Sequence, residues 1–466
     1  MRSRGGWGCA CAAVVLLSAC GSESGLDASA APDARAVVDG SMQGLDAGRS
    51  DAGPIDAGRT DAGLVDAALM DAALMDAGLT DSGIADAGLA DAGFDAGPSF
   101  GYPCDLVVPD DHATIPDAVA AAPSPGVVCV RAGIHDAAFS LRPHVAVVGE
   151  GPATIIRGEI TARDLDDPDP TPTLLADFTL EATGNEAIHT CRLGSRSCGD
   201  RQINITSGWA LHLSSLEIHM PAVGSTYCLH TDLAWLGGSL TMEDSRCASS
   251  RGIRFLGAVR QTAPASRFAV TLERNRFERG VAGAMREPIE LLIGSGGTCG
   301  STPAAPGTRV NALVRNNELF EVTGDAVYLI QCLDLAPADD RASDYVFTYN
   351  TITGAPTARV AYAFWNNSSN GHGPRWSVVN NLYYGFMGET YNGPVPDVAA
   401  SNLRLDTSPF VDVATGDLRL APGASPIDAA DPGYVVAVDV AGDPRPIDGD
   451  ASGVAEHDVG AREYTP

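Results

Sequence analysis

The sequence predicts an all-β solenoid, a coil of short strands in which each turn stacks on the one before, carried behind a leader and a long segment that does not fold. Three observations lead there. A short strand ending in Asn and followed within two residues by an apolar side chain recurs along the chain. Residues 100–466 exceed the size at which one compact core stops growing, yet no second linker interrupts them. Asn-Gly hairpin turns, which a sandwich would need in number, occur only at Asn370-Gly371 and Asn392-Gly393.

The leader comes first. Arg2 and Arg4 precede an apolar run from Cys9 to Leu17 that closes on Leu17-Ser18-Ala19-Cys20. About nine apolar residues are too few to cross a bilayer, whereas a basic start and small residues before a cysteine suit a signal peptidase. The stretch resembles the cleavage box of bacterial lipoproteins. That resemblance implies a signal peptide over 1–20 and a lipid on Cys20, with the membrane as a partner through that lipid. Gly21 and Ser22 lack the aspartate that favours inner-membrane retention, so the outer membrane or cell surface is the expected location.

Residues 21–99 follow as a linker. From Asp46 to Asp91 an aspartate recurs every fifth residue, usually as Asp-Ala-Gly. Five is neither the helical nor the strand period, glycine at each repeat weakens a helix, and the like charges repel. An extended, solvated tether is expected, and a Gly-rich coil of this length reaches roughly 50 Å root-mean-square. The formal net charge of the whole chain is -29, and no lysine is present. Such a field disfavours nucleic acid as a partner, and it repels polyuronates unless Ca2+ bridges them.

Cys9 and Cys11 leave with the leader, and eight cysteines remain in the body: Cys104, Cys129, Cys191, Cys198, Cys228, Cys247, Cys299 and Cys332. An exported chain without a Cys-x-x-Cys pair points to disulfides. Eight cysteines allow 105 connectivities. Sequence neighbours are the expected partners, 104 with 129, 191 with 198, 228 with 247 and 299 with 332, because distant coils of a solenoid do not meet.

The body, residues 100–418, opens on Thr114-Ile115-Pro116-Asp117-Ala118-Val119. Ala120-Ala121-Ala122-Pro123, Gly126-Val127-Val128-Cys129-Val130, Val145-Ala146-Val147-Val148-Gly149-Glu150-Gly151 and Thr154-Ile155-Ile156-Arg157-Gly158 follow. This resembles the start of a right-handed parallel β-helix of the pectate-lyase-like superfamily, in which a short amphipathic helix caps the solenoid. Ile115, Ala118, Val119 and Ala122 would form its apolar stripe.

The recurrent corner then appears at Asn275, Asn317, Asn350, Asn381 and Asn402, with Asp177, Ser215 and Ser245 as degenerate copies at intervals of 21 to 42 residues. Phe268, Val270 and Leu272 alternate inward. Asn is expected to take a left-handed bend and to stack into a ladder of amides. Residues 419–466, with Ser425-Pro426-Ile427-Asp428, Asp443-Pro444-Arg445-Pro446 and Ala461-Arg462-Glu463-Tyr464, are similar to the closing segment of choice-of-anchor surface proteins, where the coil axis is covered. Asp428, Asp431, Asp439 and Arg445 are read as satisfying one another and turn backbone.

Pectate-lyase-like enzymes bind a uronate carboxylate with Ca2+ or Arg and remove a neighbouring proton with a base. Without lysine, the resemblance leaves Arg, His or Tyr as that base. Asn370-Gly371-His372-Gly373 is similar to a fragment of the polygalacturonase motif, with Asp339-Asp340 upstream, but the rest of the motif is missing. Asp325, Asp340 and His372 are the candidate catalytic residues. His212, His219 and His230 fall at strand spacings that send them to different faces, so no metal site is expected from them. The acidic run Asp164, Asp166, Asp167 and Asp169 reads as a solvated loop.

A cluster of aromatics between Tyr362 and Tyr391 is the remaining signal, because aromatic faces supply apolar area to sugar rings. Trp365, Trp376, Tyr384 and Tyr391 are the expected glycan-binding residues, and Phe364 and Trp365, being adjacent, cannot both point inward. The resulting expectation is a surface lipoprotein that binds polysaccharide or another surface partner. A polysaccharide lyase or glycoside hydrolase is the alternative.

Overall fold

The computed structural model describes residues 100–162, 171–190, 210–221, 225–234, 238–258, 267–281, 283, 285–293, 302–303, 306–335, 339, 343–366, 373–386 and 390–466. The leader and Cys20, the linker, the acidic run from Asp164, Asp340 and His372 lie outside the described residues.

The strands cycle in threes. Among the described residues the first sheet has eleven strands from Leu106–Val108 to Val398–Ala400, the second has ten from Gly133–Asp136 to Leu403–Leu405, and the third has nine from Phe139–Ser140 to Tyr391–Asn392. Within these sheets each strand pairs in parallel with its counterpart one coil away, as in Leu240 beside Val270 and Ile253 beside Ile289. This is a parallel β-helix. One inward column per sheet position fills the interior, for example Ile160, Ile188, Leu229, Ile253, Ile289, Val327 and Tyr362, all buried in one continuous core.

The helix Ile115–Ala121 covers the first coil. Thr114 caps it by accepting from the Asp117 amide, Pro116 sits in the first turn, and Ile115, Ala118 and Val119 are buried. At its other end Arg142 donates to the carbonyls of Val119, Ala120 and Ala122. Those carbonyls would otherwise lack partners.

The corner between the first and second sheets carries the amide ladder. The backbone N–H groups of Asn275, Asn317, Asn350 and Asn381 donate to Oδ1 of Asn317, Asn350, Asn381 and Asn402 at 2.9–3.1 Å. Each Nδ2 donates onward to the same oxygen. Ser245 extends the row, its amide donating to Asn275 Oδ1 and its hydroxyl accepting from the Leu216 amide. One expectation is corrected. The left-handed residue is the one before each ladder position, Asp244, Arg274, Asn316, Tyr349, Asn380 and Ser401, with φ between 47° and 57°. Asp177 and Ser215 are left-handed residues of this kind, so the ladder positions in their coils are Phe178 and Leu216.

Two disulfides join described cysteines, Cys104 with Cys129 and Cys228 with Cys247. Cys332 is disulfide-bonded too, to a cysteine outside the described residues, where Cys191, Cys198 and Cys299 lie. Such bonds persist in oxidising compartments, outside the cytoplasm. Among the described residues no helix is long and apolar enough to cross a membrane.

The resemblance of the closing segment implies a cover over the coil axis. Its contacts are instead with the flank. An antiparallel pair, Phe410–Asp412 with Asp417–Leu420, brings Phe410, Leu418 and Leu420 into a cluster with Phe320 and Leu382 on the outer face of the second sheet. Arg445 anchors the rest of the closing segment. Its guanidinium donates to Glu463, Asn316 and the carbonyls of Asp458 and Gly460, lies 4.5 Å from the Tyr349 ring, and shares with Glu463 a fully buried ion pair. The carboxyls of Asp428, Asp448 and Asp450 come within 4.8 Å of one another, and all three accept from backbone amides of this segment.

Candidate groove on the third sheet

Side chains alternate across a strand, so the residue after each inward one on the third sheet points out. In register these are Thr161, His189, His230, Arg254, Glu290, Tyr328, Ala363 and Asn392. Three residues before five of them stands a second polar or charged group, at the strand's first residue or two positions before it: Glu186, Tyr227, Arg251, Glu287 and Asp325. The two rows make one polar strip across successive coils.

At one end of the strip, Arg251, Glu287, Glu290, Asp325, Tyr328, Arg359, Val360, Trp365 and Asn392 line a cleft of about 330 Å³. Arg251 pairs with Glu287 at 3.0 Å and Glu290 at 2.8 Å, Arg254 reaches Glu290 at 3.2 Å, and Arg359 lies 3.2 Å from Asp325. Burial pushes the Glu290 carboxyl above its ordinary range despite the arginines beside it. Burial raises Asp325 as well, with Arg359 opposing and Glu287 adding to the rise. Trp365 is 46% exposed at the rim, and it is the member of the Phe364/Trp365 pair that faces out.

At the other end Glu186 accepts from Nδ1 of His230 in a short hydrogen bond and lies 3.5 Å from Nδ1 of His189. Burial alone would raise the Glu186 carboxyl, but the bond and charge of His230 hold it below its usual range. The Tyr227 ring stacks on His230 at 5.0 Å, and the guanidinium carbons of Arg251 and Arg254 each lie 5.9 Å from that ring.

Of the residues expected to function, Asp325 and Trp365 meet in the cleft. Trp376 does not. It is 2% exposed, points into the coil, and its indole N–H donates to the Val395 carbonyl at 3.2 Å, so it has no face for a sugar. Tyr391 belongs to the inward column beside Tyr362 and packs on Trp376. Tyr384 sits on the second sheet against Phe410, away from the groove. These three expectations are corrected. His212 pairs with Glu243 on the first sheet, His219 with Glu217 on the second, and His230 with Glu186 on the third, so the three histidines share no site.

The arginines, glutamates and Tyr227 were missed. Their signal was present as a pair spaced by three at the start of successive third-sheet strands: Glu186/His189, Tyr227/His230, Arg251/Arg254, Glu287/Glu290 and Asp325/Tyr328.

No protein family model and no curated protein matches the chain. Among solved structures it is similar to the A-module of mannuronan C-5 epimerase AlgE6 from Azotobacter vinelandii, with 14% identity over 63% of this chain and 93% of that one and a TM-score of 0.27. At that score the likeness supports no inference about activity.

Proposed function

We propose that this is a lipid-anchored protein of the outer membrane or cell surface, held by Cys20 on its acidic tether, that binds a glycan along the strip on the third sheet. Trp365 carries the reading. An exposed indole face beside a cleft of carboxylates and guanidinium groups matches what sugars need, an apolar platform with converging hydrogen-bond partners. A second reading, glycoside hydrolysis, is favoured by the raised carboxyls of Glu290 and Asp325 beside one another in the cleft, since burial that lifts a carboxyl favours the acid form a general acid must supply.

Passing the full chain over an immobilised polysaccharide panel tests the first reading. At least one glycan should be retained, and Trp365→Ala should weaken retention about tenfold, consistent with the loss of one aromatic platform. Retention unchanged by that substitution, or no retention at all, would overturn it. Assaying the same panel for reducing ends and unsaturated products tests the second. Activity that falls in Asp325→Asn or Glu290→Gln supports it, and no product from any retained glycan removes it.

A further inference from the structure

The His189–Glu186–His230 cluster occupies the two coils just before the one that carries Arg251 and lies four coils before Trp365, and the glycan reading does not require it. His230 gives Nδ1 to Glu186, while its Nε2 is buried without a hydrogen-bond partner among the described residues. With Nδ1–H committed to the carboxylate, Nε2 of a neutral ring is an acceptor, and protonation turns it into a donor. That orphan atom therefore changes what it can bind.

We propose that Glu186 and the two imidazoles it bridges form a pH gate, admitting glycans that carry carboxylate or sulfate groups when the rings are protonated. The proposal rests on the groove being a glycan site. The surroundings set the direction. Glu159 lies 3.8 Å from His189 Nε2, which also meets the Thr161 hydroxyl at 3.1 Å. On the following coils stand Tyr227, then Arg251 and Arg254, then Glu287 and Glu290. With neutral rings and all carboxyls ionised, four carboxylates outnumber two guanidinium groups, and an anionic sugar is repelled. Two protons cancel that excess. They add positive charge on the His230 ring, which stacks on Tyr227, the ring that the Arg251 and Arg254 guanidinium groups also approach, so the three cations share one side of the strip.

Calorimetric titration of the full chain with tetragalacturonate and with neutral cellotetraose, at pH 5.5 and 7.5, tests this. The acidic tetramer should bind about tenfold more tightly at pH 5.5, and the neutral one should change less than about twofold, as expected when a charge rather than a fold is being altered. The double variant His189→Gln with His230→Gln should abolish the pH dependence, and His230→Gln alone should weaken it. Glu186→Gln, which removes one of the excess negative charges at every pH, should bind the acidic tetramer at pH 7.5 more tightly than the parent does. Equal affinity for the acidic tetramer at both pH values, or a pH dependence that survives replacement of both His189 and His230, overturns the gate. Binding of cellotetraose alone at both pH values also overturns it while leaving the glycan site standing. If neither tetramer binds, the glycan reading fails for these sugars and the gate, which rests on it, fails with it.

Discussion

Replacing Asn350 with alanine should be far more damaging than the same change at Asn402, although both occupy the same corner of the coil. Asn350 Oδ1 accepts from the amide and side chain of Asn317, and its Nδ2 donates to the Val314 carbonyl and to Asn381 Oδ1. Both Asn317 and Asn350 are buried, so no water replaces what is lost. Asn317 Nδ2 keeps the Leu272 and Arg315 carbonyls, and Asn381 Oδ1 keeps the Asn350 amide. One orphan remains, the Asn317 amide, because the Val314 carbonyl keeps its place in the ladder with the next coil. At about 1–3 kcal/mol for that buried unsatisfied group, plus about 1 kcal/mol for the side-chain bonds lost with it, Asn350→Ala costs on the order of 3 kcal/mol. Asn402 ends the ladder and is partly exposed, so water takes over and the expected cost is about 1 kcal/mol. Asn350→Ser should fall between them, because Ser245 already shows a hydroxyl accepting at this corner. Urea unfolding of the full chain, followed by far-ultraviolet circular dichroism and tryptophan fluorescence, measures all three. Equal losses at 350 and 402, or a loss below about 1 kcal/mol at 350, would refute the view that neighbouring coils depend on each other's amides.

Trp376→Ala should leave a large cavity between Phe364, Tyr362 and Tyr391 and cost about 3–5 kcal/mol in the same unfolding experiment. A change under about 1 kcal/mol would show that the ring is not packed inside the coil. Asp458 gives a pH dependence. Burial lifts its carboxyl to about 7 from an ordinary value of 3.8, against the Asp428 and Tyr464 amides that favour the charged form. The folded protein then holds a proton that the unfolded chain releases, so stability from this group is fully present below about pH 4 and is lost as pH rises through 7. The whole difference amounts to at most about 4 kcal/mol. Asp458→Asn should flatten the fall in melting temperature between pH 5 and 8, and an unchanged slope would assign the dependence elsewhere.

The coil was legible because its two strongest devices repeat. Asn at the corner and alternating apolar residues on the first sheet recur at Asn275, Asn317, Asn350, Asn381 and Asn402, and repetition separates them from chance. The left-handed position was misplaced by one residue because Asn is the usual occupant of such a bend, and here Arg274 and Tyr349 occupy it, each held by contacts outside its own turn. The groove was hidden for a different reason. Trp376 lies between Arg375 and Ser377, and alternation alone turns it inward, whereas a cluster of aromatics is a compositional signal that does not say which ring faces out. Tyr391 could not be placed that way. Its pairing with Tyr362 depends on how the chain between them is looped, which local pattern does not encode. The polar strip is written as pairs three residues apart in segments 24 to 41 residues from each other, and it becomes visible only once the register between coils is known.

The chain reaches back a long way to fasten its flank: Arg462 meets Glu318 across 144 positions, and Arg276 meets the Gly416 carbonyl across 140. Coils that contact only their neighbours can form in order as a polypeptide is delivered. The outward Phe320 and Leu382, however, stay bare until Leu418 and Val459 arrive. A ribosome or export channel that stalls late would therefore release a half-zipped particle with a greasy stripe, and quality control could recognise that stripe before the product ever reached its destination.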